Sequence, residues 1–583
     1  MGCGTSKADA ATGGVAAGSP PAAQTQKQPH AKEAEEEAHG EVDKDMWEGI
    51  LSRIKPTMLK PGAIQSVIVI GAGASGLRCA ALLKQKGITV TILEGRDRIG
   101  GRLYTNPDGL DIGGHWIHGG GPDDKVEMFA ASKISPEQVN PVRQLCDEYG
   151  IATRLTDGDS CYIGESEAGA REIMFFDSDG KSIKDDGEAE TELWDTYDMV
   201  MEKVWALEDE MVAAGKPGGS MSLLDAIEQV TAALETPLTA RQKRFLQWHI
   251  ETEFGGDYAE DAHNLSFFHY DGGKAGEYRV FPGGDRVLEG GYSSLITKMG
   301  EPLQQSVQLN KVVSKIDLGG GGGVGVAVSC ADGSTHTADV CVCTLPLGVL
   351  QRAPAEAGHV AVSPPLPAEK QAALGRARMA CLNKLFLVFD TCHWPADQYT
   401  FAYVNETPDE YPSMIVNIMP SHGLPILTCM VGGGAGRAME RRELSENVAW
   451  AMQLVRKLFG SNVPEPTRAV QTAWDQDPFS YGAYSCAGKG VHADDGFTIA
   501  EPVGGKLFFA GEHTNPLFWG CVHGAIVSGA REACRISGDE ELLRVYKRGG
   551  AQTQTKAKRA AKGEKVKAKS AAVKAKVVAR VSA

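Results

Sequence analysis

VIVIGAGASGLRCAALLKQKGITVTILEGRDRIGGR, residues 67–102, decides the fold. Val67–Ile70 is a run of β-branched apolar residues and reads as a strand buried on both faces. Gly71, Gly73 and Gly76 follow at GxGxxG spacing, and Leu77, Ala80, Ala81 and Leu83 then recur at helical intervals. A second apolar strand, Val90–Leu93, ends in Glu94. Each part of this strand–turn–helix–strand unit has a physical task. Gly71 permits the tight turn, Gly73 lets backbone approach a pyrophosphate, and Gly76 lets the helix pack close to the strand. The helix N-terminus at Ala74 and Ser75 offers unbonded N–H groups and a positive dipole end to phosphate. Glu94 stands where a carboxylate takes ribose hydroxyls. The unit predicts dinucleotide binding.

The end of the stretch, Gly95–Arg102 (GRDRIGGR), resembles the second signature of the flavin amine oxidase superfamily, which includes polyamine and spermine oxidases, monoamine oxidases and lysine-specific histone demethylases. The resemblance implies FAD as the dinucleotide. It implies that Arg96 and Arg102 meet its pyrophosphate, that Gly100–Gly101 passes under it, and that Gly95 belongs to the same cofactor-binding set. Further motifs occur in the family's order between about residues 64 and 540. Leu110–Gly119 (LDIGGHWIHG) is similar to the polyamine oxidase stretch that lies against the flavin, which implies contact from Gly114, His115 and Trp116 and a place for His118 along the substrate tunnel. Val307–Ile316 (VQLNKVVSKI) resembles the strand whose valine, here Val313, touches adenine. Leu382–Pro395 (LNKLFLVFDTCHWP) resembles the strand that sends a lysine, here Lys384, toward flavin N5 through a water. The residues alone make Lys384 conspicuous, because a lysine on an otherwise apolar strand is expensive to bury without purpose. Trp474–Tyr484 precedes Leu507–Glu532, similar to the carboxy-terminal FAD signature, and implies roles for Trp474, Gly511, Glu512, Cys521 and Val522 at the cofactor.

In that family two side chains flank the amine before the flavin, and the matching positions are Tyr484 and Cys521. A cysteine at the second is a departure that leaves an aromatic cage half built. Monoamine oxidases carry a thioether cysteine just before the first cage residue. Here that position is Ala483, so FAD is expected to be noncovalent. The expected reaction is hydride transfer from an amine α-carbon to FAD, with O2 as acceptor and aldehyde, amine and H2O2 as products. Lys384, Tyr484, Cys521 and His118 are the candidate catalytic residues. A small cationic amine, foremost a polyamine, is the expected substrate. The alternatives are a histone lysine demethylase-like oxidase and a membrane-tethered flavoprotein without catalysis. Glu251 and Glu253 are candidate acids near a substrate entrance, or a solvated helix face.

The expected architecture is α/β: a Rossmann-type FAD-binding domain with an inserted α+β substrate domain of mixed sheet plus helices. Residues 64–120, 276–350 and 470–540 would form the first, and 121–275 with 351–469 the second. Asp195–Met211, Leu223–Leu234 and Arg241–Phe254 carry helical spacing, and Gly319–Gly323 reads as a hairpin tip. Residues 1–63 are expected to be disordered and 541–583 to be a basic Lys/Ala-rich tail. The opening MGCGTSK matches an N-myristoylation pattern at Gly2 and Ser6, with Cys3 a candidate for palmitate. Net charge is −16, yet residues 551–583 hold ten Lys/Arg and one Glu, so the rest carries −25. The tail could meet an anionic membrane surface or nucleic-acid phosphates. The thirteen cysteines show no CxxC pair and no metal-ligand cluster, so no metal is expected. Their loose spacing, with no signal peptide or spanning apolar run, reads as a cytoplasmic protein anchored by N-terminal acylation.

Overall fold

Val67–Ile70 becomes the centre of a parallel sheet, each residue at most 1% exposed. In the computed structural model this strand is β1 (Ser66–Ile70), with β2 (Thr89–Leu93) and Val340–Cys343 on its two sides. Leu507–Phe509 and Val307–Gln308 add the edges, all in parallel. The structure describes residues 46–121, 138–156, 173–183, 187–216, 220–269, 281–319 and 325–547. Gly2, Ser6 and Cys3, most of the glycine run at 319–323 and the basic stretch 551–583 lie outside them.

One sheet is thus assembled from separated parts of the chain, and helices close it. Helix α2 (Ala74–Gln85) lies directly against the helix from Val522 to Ser537. They can approach because Gly529 faces Ser75: a Cβ at Gly529 would stand 2.2 Å from the Ser75 carbonyl oxygen. The Ser75 and Ser528 hydroxyls hydrogen-bond across the crossing at 3.1 Å.

The second layer is a six-stranded sheet, in the order 468–471, β3 (Leu382–Val388), β4 (Ile426–Gly432), 414–417, 400–403 and 174–176. Its neighbours are antiparallel except the last pair, which is parallel. Helices Gly187–Ala213, Leu223–Ala232 and Ala240–His249 accompany it. Ser222 with Asp225, and Thr239 with Gln242, form reciprocal capping boxes that start the second and third. This is the expected mixed α/β architecture. One local expectation changes. The helix expected to run from Arg241 to Phe254 is α-helical only to His249, and Ile250–Asp257 continues as a π-helix. Apolar spacing alone does not distinguish the wider turn.

Two boundaries also move. Residues 46–63, expected in the disordered segment, contain helix α1 (Met46–Ile54), with Trp47, Ile50, Leu51 and Ile54 buried along one face. Residues 541–547, expected in the basic tail, form a helix that buries Leu543 and Tyr546. The two helices clasp each other. Trp47 stacks on Tyr546 with ring centroids 5.6 Å apart, and Arg544 pairs with Glu48 at 3.1 Å. Composition drew both boundaries wrongly because each helix is short and its apolar face is covered only when distant parts of the chain come together in one core.

Candidate active site

The nucleotide end of the site forms where β1 meets α2. A Cβ at Gly76 would stand 2.0 Å from the Gly71 carbonyl oxygen, so only glycine lets the helix begin there. Gly71 has φ +103°, in the region that favours glycine. A Cβ at Gly73 would meet nothing within 4 Å. Open space therefore lies beside a helix start that has no side-chain cap, as a phosphate requires. Glu94 is buried. It accepts from the Ala72 N–H at 2.7 Å and the Arg96 N–H at 2.8 Å, so its carboxylate is fixed in direction.

The second motif is pinned against the first. Gly100 N–H donates to the Ala72 carbonyl at 2.8 Å, and a Cβ at Gly101 would lie 3.5 Å from the Gly73 Cα. Gly95 is packed under Phe479, whose ring would be 2.6 Å from a Cβ. Arg96, expected at the pyrophosphate, has both terminal nitrogens bonded to Asp477, at 2.9 and 2.8 Å. It braces the loop after Trp474. Arg102 donates to the Ala483 carbonyl and to Glu512, each at 2.8 Å, joining the second motif to the carboxy-terminal one. Burial disfavours the Glu512 charge, but Arg102, His513 and Ser485 hold its carboxyl below the ordinary value. Glu512 also takes the Gly520 N–H at 3.0 Å, and Gly511 turns the chain before it at φ +131°. Val313 packs in the same apolar cluster as Leu93, while Lys311 N–H donates to the Glu94 carbonyl at 2.7 Å.

The reacting end is built on the Asp111–Gly114 turn. A Cβ at Gly113 would sit 1.7 Å from the Arg102 carbonyl oxygen. One at Gly114 would lie 2.7 Å from Leu103 and 3.4 Å from Val522, the first residue of the helix Val522–Ser537. That helix also starts without a side-chain cap at Cys521. Lys384, 6% exposed on β3, donates to the Gly113 carbonyl at 2.7 Å and the Asp111 carbonyl at 3.1 Å. Its ammonium lies 5.8 Å from the Trp116 ring centroid. The neighbouring Asn383 accepts from Thr472 at 2.9 Å and from the Trp474 N–H at 3.3 Å, and the Trp474 indole reaches the Ile112 carbonyl at 3.3 Å.

His115 lies beside the same turn. Its Nδ1 is 3.3 Å from Asp111, and burial lowers its proton affinity despite that carboxylate. The His118 side chain is 40% exposed and hydrogen-bonded to Asp285 at 3.1 Å, while Gly119 N–H occupies the other Asp285 oxygen at 3.0 Å. Tyr484 donates to the Asp257 carbonyl at 2.8 Å, and its ring would be 3.1 Å from a Cβ at Gly520, next to Cys521. Lys384, Trp116, the start of the helix at Val522, and Tyr484 are thus linked by successive contacts around one place. Asp285, Asp477 and Ser485 were not singled out from sequence. No local pattern marks them, since each acts on a residue already in place. Among the described residues no group of three or more His, Cys, Asp or Glu could hold a metal.

The sequence profile described as flavin containing amine oxidoreductase matches residues 74–537. The chain belongs to this family. Membership carries the cofactor, FAD, and the reaction class, oxidation of an amine. The turn geometry fits that cofactor: two uncapped helix starts, open space at Gly73, and Glu94, Arg102 and Glu512 fixed around them. Among similar proteins, polyamine oxidase 4 of Oryza sativa subsp. japonica is 30% identical, over 81% of this chain and 88% of that protein. Lysine-specific histone demethylase 1 homolog 3 of Arabidopsis thaliana is also 30% identical, but the match covers only 30% of its length. The Arabidopsis protein Flowering Locus D is 29% identical, with 59% of its length covered. Against these two the chain spans well under the full protein. A solved structure of putrescine oxidase bound to putrescine shares the fold, with a TM-score of 0.60 at 20% identity, covering 81% of this chain and 98% of that one.

Proposed function

We propose that this flavin-containing amine oxidoreductase is a polyamine oxidase-like enzyme. It oxidises a C–N bond of a small cationic amine with O2 as acceptor and yields aldehyde, amine and H2O2. The observation that carries the reading is Lys384: a buried ammonium on an apolar strand, aimed by two carbonyls at the turn between Arg102 and Val522. FAD, when bound, supplies the hydride acceptor and returns the electrons to O2. The chain's own groups do the rest. Uncapped N–H groups at Val522 would favour negative charge on a group held there. Lys384 orders a water there. Tyr484 and Cys521 bound the space for the reacting carbon, and the buried surroundings of Trp116 disfavour an ammonium, so the amine is held in the neutral form that can release hydride. His118, oriented by Asp285, supplies a polar wall.

The coverage of 88% of the rice polyamine oxidase supports this over a demethylase. A peroxide assay on the purified protein with monoamines, putrescine, spermidine, spermine and a methyl-lysine peptide is the test. Peroxide from polyamines bears the proposal out. Peroxide from the peptide alone turns it to demethylation, and none from any amine removes it.

Gly2 and Cys3 support a further proposal, acylation that attaches the enzyme to the cytosolic face of a membrane. Among the described residues no helix is long and apolar enough to cross one.

A further inference from the structure

Asp111 is engaged at three atoms. Its carbonyl takes the Lys384 ammonium at 3.1 Å. One carboxylate oxygen, Oδ1, accepts from the Thr105 hydroxyl at 2.6 Å and from the Tyr292 N–H at 3.0 Å, where the helix Tyr292–Gly300 begins. The other, Oδ2, lies 3.3 Å from His115 Nδ1, and among the described residues no other donor reaches it. Lys384 and His115 thus bear on the same buried residue, one on its backbone and one on its side chain.

The His115 ring is held on both sides. Its centroid lies 4.7 Å from that of Trp116 in an edge-on contact and 5.7 Å from that of His422 in a stacked one. His422 Nδ1 is bonded to the Ser421 hydroxyl at 2.8 Å, and beyond it Arg154 donates to the Ser421 carbonyl at 2.8 Å. The titratable groups around His115 are therefore Asp111, Lys384 and His422. Burial pushes His422 down to about 4, so the stacked ring is uncharged at neutral pH. Burial also lowers the proton affinity of His115, and Lys384 lowers it further. A neutral imidazole with a carboxylate at Nδ1 carries its one proton there. Burial disfavours the Asp111 charge, but His115, Thr105 and the Tyr292 N–H outweigh it and hold the carboxyl below the ordinary value.

A buried carboxylate oxygen without a donor is costly and draws the nearest cation. Lys384, already on the carbonyl of the same residue, is the cation at hand. We propose that His115 is a positioning residue for Lys384: by filling Asp111 Oδ2 it leaves the ammonium to the Asp111 and Gly113 carbonyls, which aim it. The proposal rests on Lys384 acting at the cofactor. It gives His115 a task besides packing against Trp116.

Two substitutions separate aiming from packing. His115→Phe keeps a ring between Trp116 and His422 and removes the donor. His115→Asn removes the ring and keeps an amide N–H close to the place of Nδ1. Both half-reactions are followed by flavin absorbance in stopped flow on FAD-loaded enzyme: reduction by spermidine without oxygen, and reoxidation by O2 after dithionite reduction, which needs no amine. In the half-reaction that Lys384→Met slows, His115→Phe should be slower than wild type by about fivefold or more, with FAD still bound. His115→Asn should restore most of that loss. Combined with Lys384→Met, His115→Phe should add nothing, because aiming has no effect once the aimed group is gone. A wild-type rate in His115→Phe, a loss in His115→Asn as large as in His115→Phe, or multiplication of the two effects in the double variant overturns the positioning while the role of Lys384 stands. If Lys384→Met changes neither half-reaction, that role falls and the positioning with it. If spermidine does not reduce the wild type, the polyamine reading falls, and reoxidation still decides His115. If His115→Phe does not retain FAD, His115→Leu takes its place in the same comparison.

Discussion

At Lys384 one residue joins both layers of the fold. Its backbone N–H is held by Thr472 at 2.8 Å, and its ammonium by the Asp111 and Gly113 carbonyls. Lys384→Met keeps the length and the apolar stem but removes the charge. It should slow flavin reduction or reoxidation by about tenfold or more, roughly 1.4 kcal/mol of barrier, with FAD still bound. Unchanged rates in both stopped-flow half-reactions would remove the role. Ala483 offers no sulfur to the cofactor, its carbonyl being bonded to Arg102 instead. Acid precipitation should therefore release a yellow supernatant, and flavin left in the pellet would contradict noncovalent binding. Lys384 was legible in the sequence because its own strand made it costly. Asp285 was not, because its partner His118 lies 167 residues away. Arg96 shows the converse: its motif pointed at phosphate, and Asp477 from a distant loop takes both its terminal nitrogens.

Between elements, the same limit appears as partners that sequence separates. The strand–helix–strand unit at 66–93 is local and was read correctly, as was the apolar strand that carries Lys384 and makes β3. Helix α1 also carried its signal, apolar residues at i, i+3, i+4 and i+7, but a nine-residue helix is not stable alone and needs the helix Glu541–Lys547 to cover it. Trp47 is the centre of that contact. Besides stacking on Tyr546, its indole donates to Gln138 at 3.2 Å. Tyr546 in turn accepts from Arg78 of the nucleotide-binding helix α2 at 2.7 Å. Trp47→Ala should therefore cost about 3–5 kcal/mol of folding stability, as large-to-small core changes do. Urea denaturation measures it. A loss below about 1 kcal/mol would mean that the clasp is an ornament on an independently stable body. Residues 46–63 and 541–547 should then be removable together without loss of FAD.

For the whole molecule, buried histidines and uneven charge set how the protein responds to its surroundings. Burial pushes His249 down to about 3, His513 to about 4 and His523 to about 3. Below the unfolded value near 6.5, the unfolded chain takes up protons that the native state refuses, so stability falls as pH falls. Each group contributes a loss of about 1.4 kcal/mol per pH unit until its folded value is reached. The denaturation midpoint should drop steeply from pH 7 to pH 5.5, and His249→Phe, within an aromatic cluster with Tyr197, Trp194 and Trp248, should make the drop shallower. A flat profile would mean these rings protonate in place. The charge imbalance bears on location. A myristoyl chain at Gly2 alone holds a protein reversibly, with a partition constant near ~10⁴ M⁻¹, so stable attachment needs a second signal. The sequence offers palmitate on Cys3 and ten basic residues at 551–583, each worth roughly 1 kcal/mol where it rests near an anionic surface. The rest of the chain, at −25, would be repelled by that same surface, so the proposed attachment would rest on Gly2, Cys3 and residues 551–583. Cells expressing wild type, Gly2→Ala, Cys3→Ser and a deletion of 551–583 are to be fractionated. Gly2→Ala should leave the membrane pellet altogether. Cys3→Ser should leave it in part and more so in high salt, because only the screened basic stretch then assists the single acyl chain. Gly2→Ala remaining in the pellet would show that acylation is not the anchor. A nuclear wild type released by deleting 551–583 would assign that stretch to nucleic acid or to import instead.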